Sequence, residues 1–149
     1  MTTLQFSISI NANPETVWSC LWDENNYKIW TSPFCDGSYY TTDNFKEGNK
    51  IHLLTPSGEG MYSILDKIEE NKFLAFRHLG WVKDFVEQPI DEATKLWSNS
   101  METYQLIERL NCTDLIVKVD TIDEYIEHMN GKFPLALNEL KRLAEIKSK

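Results

Sequence analysis

The C-terminal segment carries one apolar stripe at helical spacing, and no other stretch restricts the fold as strongly. Ile122, Tyr125 and Ile126, Met129, Phe133, Ala136 and Leu137, Leu140, then Leu143 and Ala144 recur along a single helix face. Thr121 followed by Glu124 reads as a capping box, and Asp123 and Glu124 fall in the first turn, where the helix dipole favours carboxylates. Gly131 and Pro134 lie inside the run, and an internal proline removes a backbone hydrogen bond and clashes with the carbonyl four residues back. The stripe passes both residues without losing register. One long helix kinked near residues 130–134 is therefore expected, rather than two. A helix so apolar on one face must be covered.

The rest of the chain supplies the cover. Leu4 to Ile10 alternates apolar and polar residues in strict period two, the pattern of a half-buried strand. Asn13 offers an N-cap and Pro14 the favoured first helical position, so a short helix follows, with Val17, Cys20 and Leu21 as its stripe and Trp18 and Trp22 as packing residues beside it. Asp23 to Asn26 interrupts that helix, and Tyr27 to Trp30 forms a second short one. Strand patterns then occupy Ser38–Thr42, Lys50–Thr55, Met61–Ile68, Phe73–Leu79, Met101–Leu110 and Leu115–Val119. Turn residues separate them at Pro56–Gly60, Glu70–Lys72 and Asn111. Residues 80–98 lose the alternation and are expected to form a long loop, with one helical turn at Asp91 to Leu96. No linker, repeat or low-complexity tract divides the chain, so residues 1–149 are expected to form a single domain. The element order implies an α+β architecture: a curved antiparallel sheet of about six or seven strands around the long helix.

Charge removes several partners. A formal net charge of −8 repels phosphate backbones and anionic lipid, so neither nucleic acid nor a membrane surface is an expected partner. No apolar stretch approaches the ~18–20 residues a membrane span needs. The opening Met1-Thr2-Thr3-Leu4-Gln5 has no basic n-region and no apolar h-region, so no secretory signal is expected. The three cysteines, Cys20, Cys35 and Cys112, are scattered without CxxC spacing, which disfavours a disulfide framework or a zinc site. A reducing, cytoplasmic location is the expectation.

Pro14-Glu15-Thr16-Val17-Trp18, Leu21, Asp23-Glu24 and Trp30 resemble the opening signature of the SRPBCC (START-like) superfamily, in its branch similar to the activators of the Hsp90 ATPase. Phe45-Lys46-Glu47-Gly48, the stretch from Gly60 through Glu69, Asn71, Leu74 and Phe76, and Gly131-Lys132-Phe133-Pro134 with Leu137 and Leu140 extend the resemblance over nearly the whole chain. It implies the helix-grip fold, with the Leu74–Phe76 strand face turned toward the long helix. It is specific for fold and weak for function, since such scaffolds carry many activities. The chaperone activator places this module after a separate N-terminal domain, and no such domain is expected here.

Chemistry is sparse in the sequence. No HExxH, GxSxG or phosphate-loop pattern occurs, and Gly58-Glu59-Gly60 reads as a hairpin turn. Glu124 and His128 have ligand-compatible spacing, but two ligands specify little, and no metal or other cofactor is expected. His78 shares a strand face with Leu74 and Phe76 and is the candidate general base or orienting hydrogen-bond group. Tyr104, on one strand face with Glu102, is a second polar candidate. The expected ligand site lies between sheet and helix, lined by Met61, Phe76, His78, Tyr104, Met129 and Phe133, with Trp30 and Trp81 near its mouth. Three functions follow as expectations: a binding module for a small apolar or aromatic molecule, a cyclase- or hydratase-type enzyme with His78 as base, or a protein-interaction domain with a homodimer or chaperone partner.

Overall fold

The computed structural model describes every residue from Met1 to Lys149. Alternation makes Thr2–Ile10 strand β1, after which Asn13 Oδ1 accepts from Thr16 N at 2.8 Å and starts helix α1, Pro14–Trp22. Asp23 ends α1 and also caps α2, Glu24–Trp30, through Oδ1 contacts to Asn25 N and Asn26 N at 3.1 and 3.4 Å. Strands β2 (Tyr39–Thr41), β3 (Lys50–Leu54), β4 (Gly60–Glu69), β5 (Phe73–Lys83) and β6 (Val86–Glu87) follow. A short helix α3 (Glu92–Lys95), strands β7 (Ser100–Arg109) and β8 (Cys112–Thr121), and helix α4 (Asp123–Lys147) complete the chain. The 8-stranded sheet runs β1-β8-β7-β5-β4-β3-β2, with β6 paired to β5, and every pairing is antiparallel. No helix is long and apolar enough to cross a membrane.

Helix α4 is continuous through Pro134, as the unbroken stripe implies. Pro134 and Asn130, the residue four back, are both exposed, so water can satisfy the carbonyl that the proline leaves without a donor. The capping box is not formed. Thr121 is instead the last residue of β8, paired with Thr2 and buried, and Ile122 occupies the N-cap without a side-chain bond. The strand ladder with β1 holds Thr121 extended and turned inward, away from the helix amides.

Burial along α4 is uneven. Phe133, Ala136, Leu137, Leu140, Leu143 and Ala144 are buried, whereas Tyr125, Ile126 and Met129 in the first turns are only half-buried. Phe133 stacks on Phe6 of β1 and meets Phe34 edge-on, both at 4.9 Å between ring centroids. The second half of the helix is thus packed against the sheet, and the first half stands off it.

The stretch 80–98 departs from the expected loop. β5 continues to Lys83, turns at Asp84-Phe85 and pairs back through β6. A bulge hid this: pairing steps from Tyr62 with Gly80 to Ser63 with His78, leaving Leu79 surplus on β5. Side-chain parity reverses across such an extra residue. Trp81 therefore faces the same way as Phe76 and His78, while Val82 joins Leu54 and Tyr62 in a separate small cluster. A second irregularity leaves Asp66 surplus on β4 between Leu65 and Lys67. The turn residues Asp84 and Phe85 have φ of 51° and 65°, a conformation costly for a bulky side chain. Phe85 lies over Gly58, where an added Cβ would come within 2.6 Å of its ring, and Phe85 N donates to Gly58 O at 3.0 Å. The two hairpin tips are locked together there.

The uneven packing of α4 generates a paired prediction. Leu140→Ala should cost roughly 2–5 kcal/mol, as expected for a fully buried leucine. Met129→Ala should cost about 1 kcal/mol or less, because its side chain borders empty space rather than close-packed neighbours. Denaturant unfolding of the two variants checks this; equal losses would contradict a helix packed at one end only.

Candidate functional site

The inward faces of β4, β5 and β7 set the site. Opposed pairs Leu65–Phe76, Ser63–His78 and Met61–Trp81 line up between β4 and β5, and β7 places Tyr104 beside Leu74, Glu102 beside Phe76 and Ser100 beside His78. Above them the first half of α4 leaves a cavity of about 330 Å³. Its walls are mainly aromatic and aliphatic: Trp22, Tyr27, Trp30, Phe34, Phe76 and Trp81, with Leu53, Met61, Met129 and Phe133. A second cavity of about 230 Å³ adjoins it toward Trp97, Ser100 and Tyr125. The two share Met61, Trp81, Glu102, His128 and Met129, so a flexible methionine pair and one carboxylate stand at their boundary. A larger groove of about 680 Å³ at the far end of the sheet, lined by residues such as Lys67, Glu70 and Asn71, is open and charged and gathers no buried polar group.

Trp30, Met61, Phe76, Trp81, Tyr104, Met129 and Phe133 all line the main cavity, while His78 lines the second one. Two positions differ from expectation. Trp30 is not at the mouth: it is 1% exposed, and its Nε1 donates to Leu21 O at 2.9 Å, which fixes the indole as part of the inner wall. Trp81 sits on a strand rather than a loop, with its ring centroid 4.6 Å from that of Trp97. Trp22, read from the sequence as packing, also lines the cavity and meets Trp30, Phe76 and Tyr104 edge-on. Its buried Nε1 has no hydrogen-bond partner, a deficit worth about 1–3 kcal/mol.

One polar chain crosses this apolar region. His78 Nδ1 lies 2.7 Å from Ser63 Oγ, and His78 Nε2 lies 2.9 Å from Glu102 Oε1. Tyr104 donates its hydroxyl to Glu102 Oε2 at 2.5 Å. An ionised carboxylate only accepts, so this network places a proton on Nε2 and leaves Nδ1 to the Ser63 hydroxyl. The hydroxyl can donate to a neutral imidazole or accept from a charged one, so either state fits without moving heavy atoms. Serine, histidine and glutamate here do not make a hydrolase triad, since Ser63 is 0% exposed and lines neither cavity. Glu102 is the member that borders both cavities, and sequence reasoning left it off the site. Its signal was present: on β7, Ser100, Glu102 and Tyr104 share one face by alternation.

Burial raises the Tyr104 phenol well above its ordinary pKa, and the neighbouring Glu102 charge and hydrogen bond add to the shift. Tyr40, whose hydroxyl donates to Trp22 O, is pushed up to about 12, mainly by burial.

The solved structures decide the fold. A solution structure of the Aha1 dimer from Colwellia psychrerythraea matches with a TM-score of 0.72 at 22% identity, over 100% of both chains. The fold is START-like. Its sheet gripping a long C-terminal helix is the helix-grip arrangement that the sequence resemblance to the SRPBCC superfamily implied. A second START-like match, MLL2253 from Mesorhizobium loti, has a TM-score of 0.77 at 16% identity and covers 99% of this chain and 100% of its own. DynU16, a protein of the dynemicin biosynthetic locus, matches at 0.71 with 13% identity over 98% of this chain and 48% of its own. No family model matches the sequence, and no curated protein matches it.

The tyrosines predict alkaline behaviour. Folding holds Tyr104 and Tyr40 protonated where the unfolded chain would release their protons near pH ~10. Their contribution is fully present below that pH and is lost as pH rises toward the folded values. Unfolding free energy should therefore fall above pH ~10, by up to ~1.4 kcal/mol per pH unit for each phenol. Urea titrations at stepped pH, with tyrosinate absorbance followed in parallel, read this; phenols that all titrate in the folded state near their ordinary value would contradict the buried network.

Proposed function

We propose that this chain binds a small apolar or aromatic molecule in the cavity between the sheet and the first half of α4. The observation that carries the reading is the pairing of a void of about 330 Å³ with a largely aromatic wall and a single buried polar chain. Pockets of that volume, mostly apolar with a few convergent polar groups, are the usual form of small-molecule sites. Burial of ligand surface at roughly 25 cal/mol per Å² supplies affinity, and Glu102 with Tyr104 supplies orientation. Met61 and Met129 allow the smaller cavity to open into the larger for a longer ligand. A protein-interaction role, with a homodimer or a chaperone as partner, has no comparable side-chain arrangement behind it and rests on the likeness to the Aha1 dimer.

The test is a panel of sterols, polycyclic aromatics and alkyl compounds, read by melting temperature and tryptophan quenching. A ligand present at about a hundred times its Kd should raise Tm on the order of 5–10 °C. Met61→Trp, which fills the boundary between the cavities, should abolish that rise while leaving the apo protein folded. No shift from any compound would remove the proposal.

An enzymatic reading follows from a different observation, the hydrogen-bonded Glu102–His78 pair at the cavity wall. In that reading Glu102, which faces both voids, takes the proton from the substrate, and His78 with Tyr104 positions the carboxylate. Both nitrogens of His78 are already engaged, so His78 itself is the poorer base. Turnover of a bound compound that Glu102→Gln abolishes without loss of binding would establish it; binding with no product would leave the carrier function alone.

A further inference from the structure

Apart from the imidazoles of His78 and His128, the cavity walls are charged in one sense only. Among the residues lining the two voids there is no lysine and no arginine, and Glu102 is the carboxylate that reaches them. Asp120 also borders the smaller void, where its carboxylate accepts from Thr3 Oγ1 at 2.6 Å and from Met101 N at 3.1 Å, but it does not reach the larger one. The Glu102 side chain is 16% exposed, so its charge is largely desolvated. Two of the roughly four acceptor directions of a carboxylate are taken, by His78 and Tyr104, which leaves capacity for a further donor. His78 can stay neutral beside a second cation, because the Ser63 hydroxyl is placed to donate to Nδ1. The rings of Phe76, Tyr104, Trp22 and Trp81 line the same cavity as Glu102, and aromatic faces attract a cation within about 6 Å. The net charge of −8 adds a long-range field of the same sign.

Building on the ligand-binding reading above, we propose that the ligand is an aromatic or apolar molecule carrying a protonated amine, whose ammonium group is held by Glu102 at the boundary of the two cavities. Ligands with a carboxylate end, free fatty acids among them, are disfavoured by the same charge, because they would meet a like charge with no lysine or arginine to pair with.

The experiment uses four probes with one body: 2-ethylnaphthalene, 2-(2-naphthyl)ethylamine, 2-(2-naphthyl)ethanol and 2-naphthylacetic acid. Calorimetric titration of the full chain at about pH 8 keeps the amine protonated and the acid ionised. The amine should bind at least about tenfold tighter than the alcohol, the gain expected of a hydrogen bond to a charged group, and the acid should be weaker than both. In Glu102→Gln, shown folded by circular dichroism, the amine and alcohol should converge within about threefold. Wild-type protein alone already tests the ranking should the variant not fold. Alcohol binding as tight as amine, acid binding as tight as either, or an amine preference that survives Glu102→Gln overturns the proposal while the cavity reading stands. Failure of all four probes, the hydrocarbon included, removes both.

Discussion

The structure depends on α4 being clamped at one end. Phe133 lies flat on Phe6 and edge-on to Phe34, and Leu137, Leu140, Leu143 and Ala144 continue that contact with α1, α2 and β1. These fully desolvated side chains carry the hydrophobic stabilisation of the helix. The turns before Phe133 are held at a distance from β4, β5 and β7, and Tyr125, His128 and Met129 border the space between. Stability and vacancy are thus assigned to different halves of one helix. A cavity can persist because the half that anchors it does not border most of it.

Inside that vacancy, the polar chain from Ser63 to Tyr104 solves a separate problem. A carboxylate in an aromatic enclosure is expensive unless its lone pairs are occupied, and Glu102 receives both an imidazole and a phenol. The phenol is locked in its neutral form by burial. The carboxylate is thereby oriented before any ligand arrives, and remaining capacity is directed by the two strands that hold its partners. Most of the enclosure is rigid aromatic surface, so specificity concentrates in this one group.

Much of the fold was legible because its elements are local. The period-two run of β1, the Asn13-Pro14 start of α1 and the stripe through Pro134 each declare themselves within a few residues. What escaped depended on long-range pairing. Thr121 looked like a cap until β1 claimed it as a strand residue, and Trp81 looked like a loop residue because the surplus Leu79 broke the alternation. Trp30 looked peripheral, yet its indole bonds the backbone of α1 and turns inward. Met61, Phe76, Met129 and Phe133, whose strand parity and helix phase are readable, line the cavity, whereas Trp22, Tyr27 and Phe34 were not singled out. Glu102 was not singled out, because a glutamate on a half-buried strand ordinarily faces water, and only its three-dimensional neighbours make it otherwise.

The two surplus residues, Leu79 on β5 and Asp66 on β4, have an effect beyond parity. The two offset each other over the full length of the pair, but each local mismatch bends and coils its strand where it falls. These two lie on a pair of strands in the middle of the sheet, one on either side of the Phe76–Leu65 position, so the ladder beneath the cavity is interrupted at both ends of that stretch. Side chains furnish the hollow, but which of them face it on β4 and β5 is decided by this arithmetic in the backbone ladder.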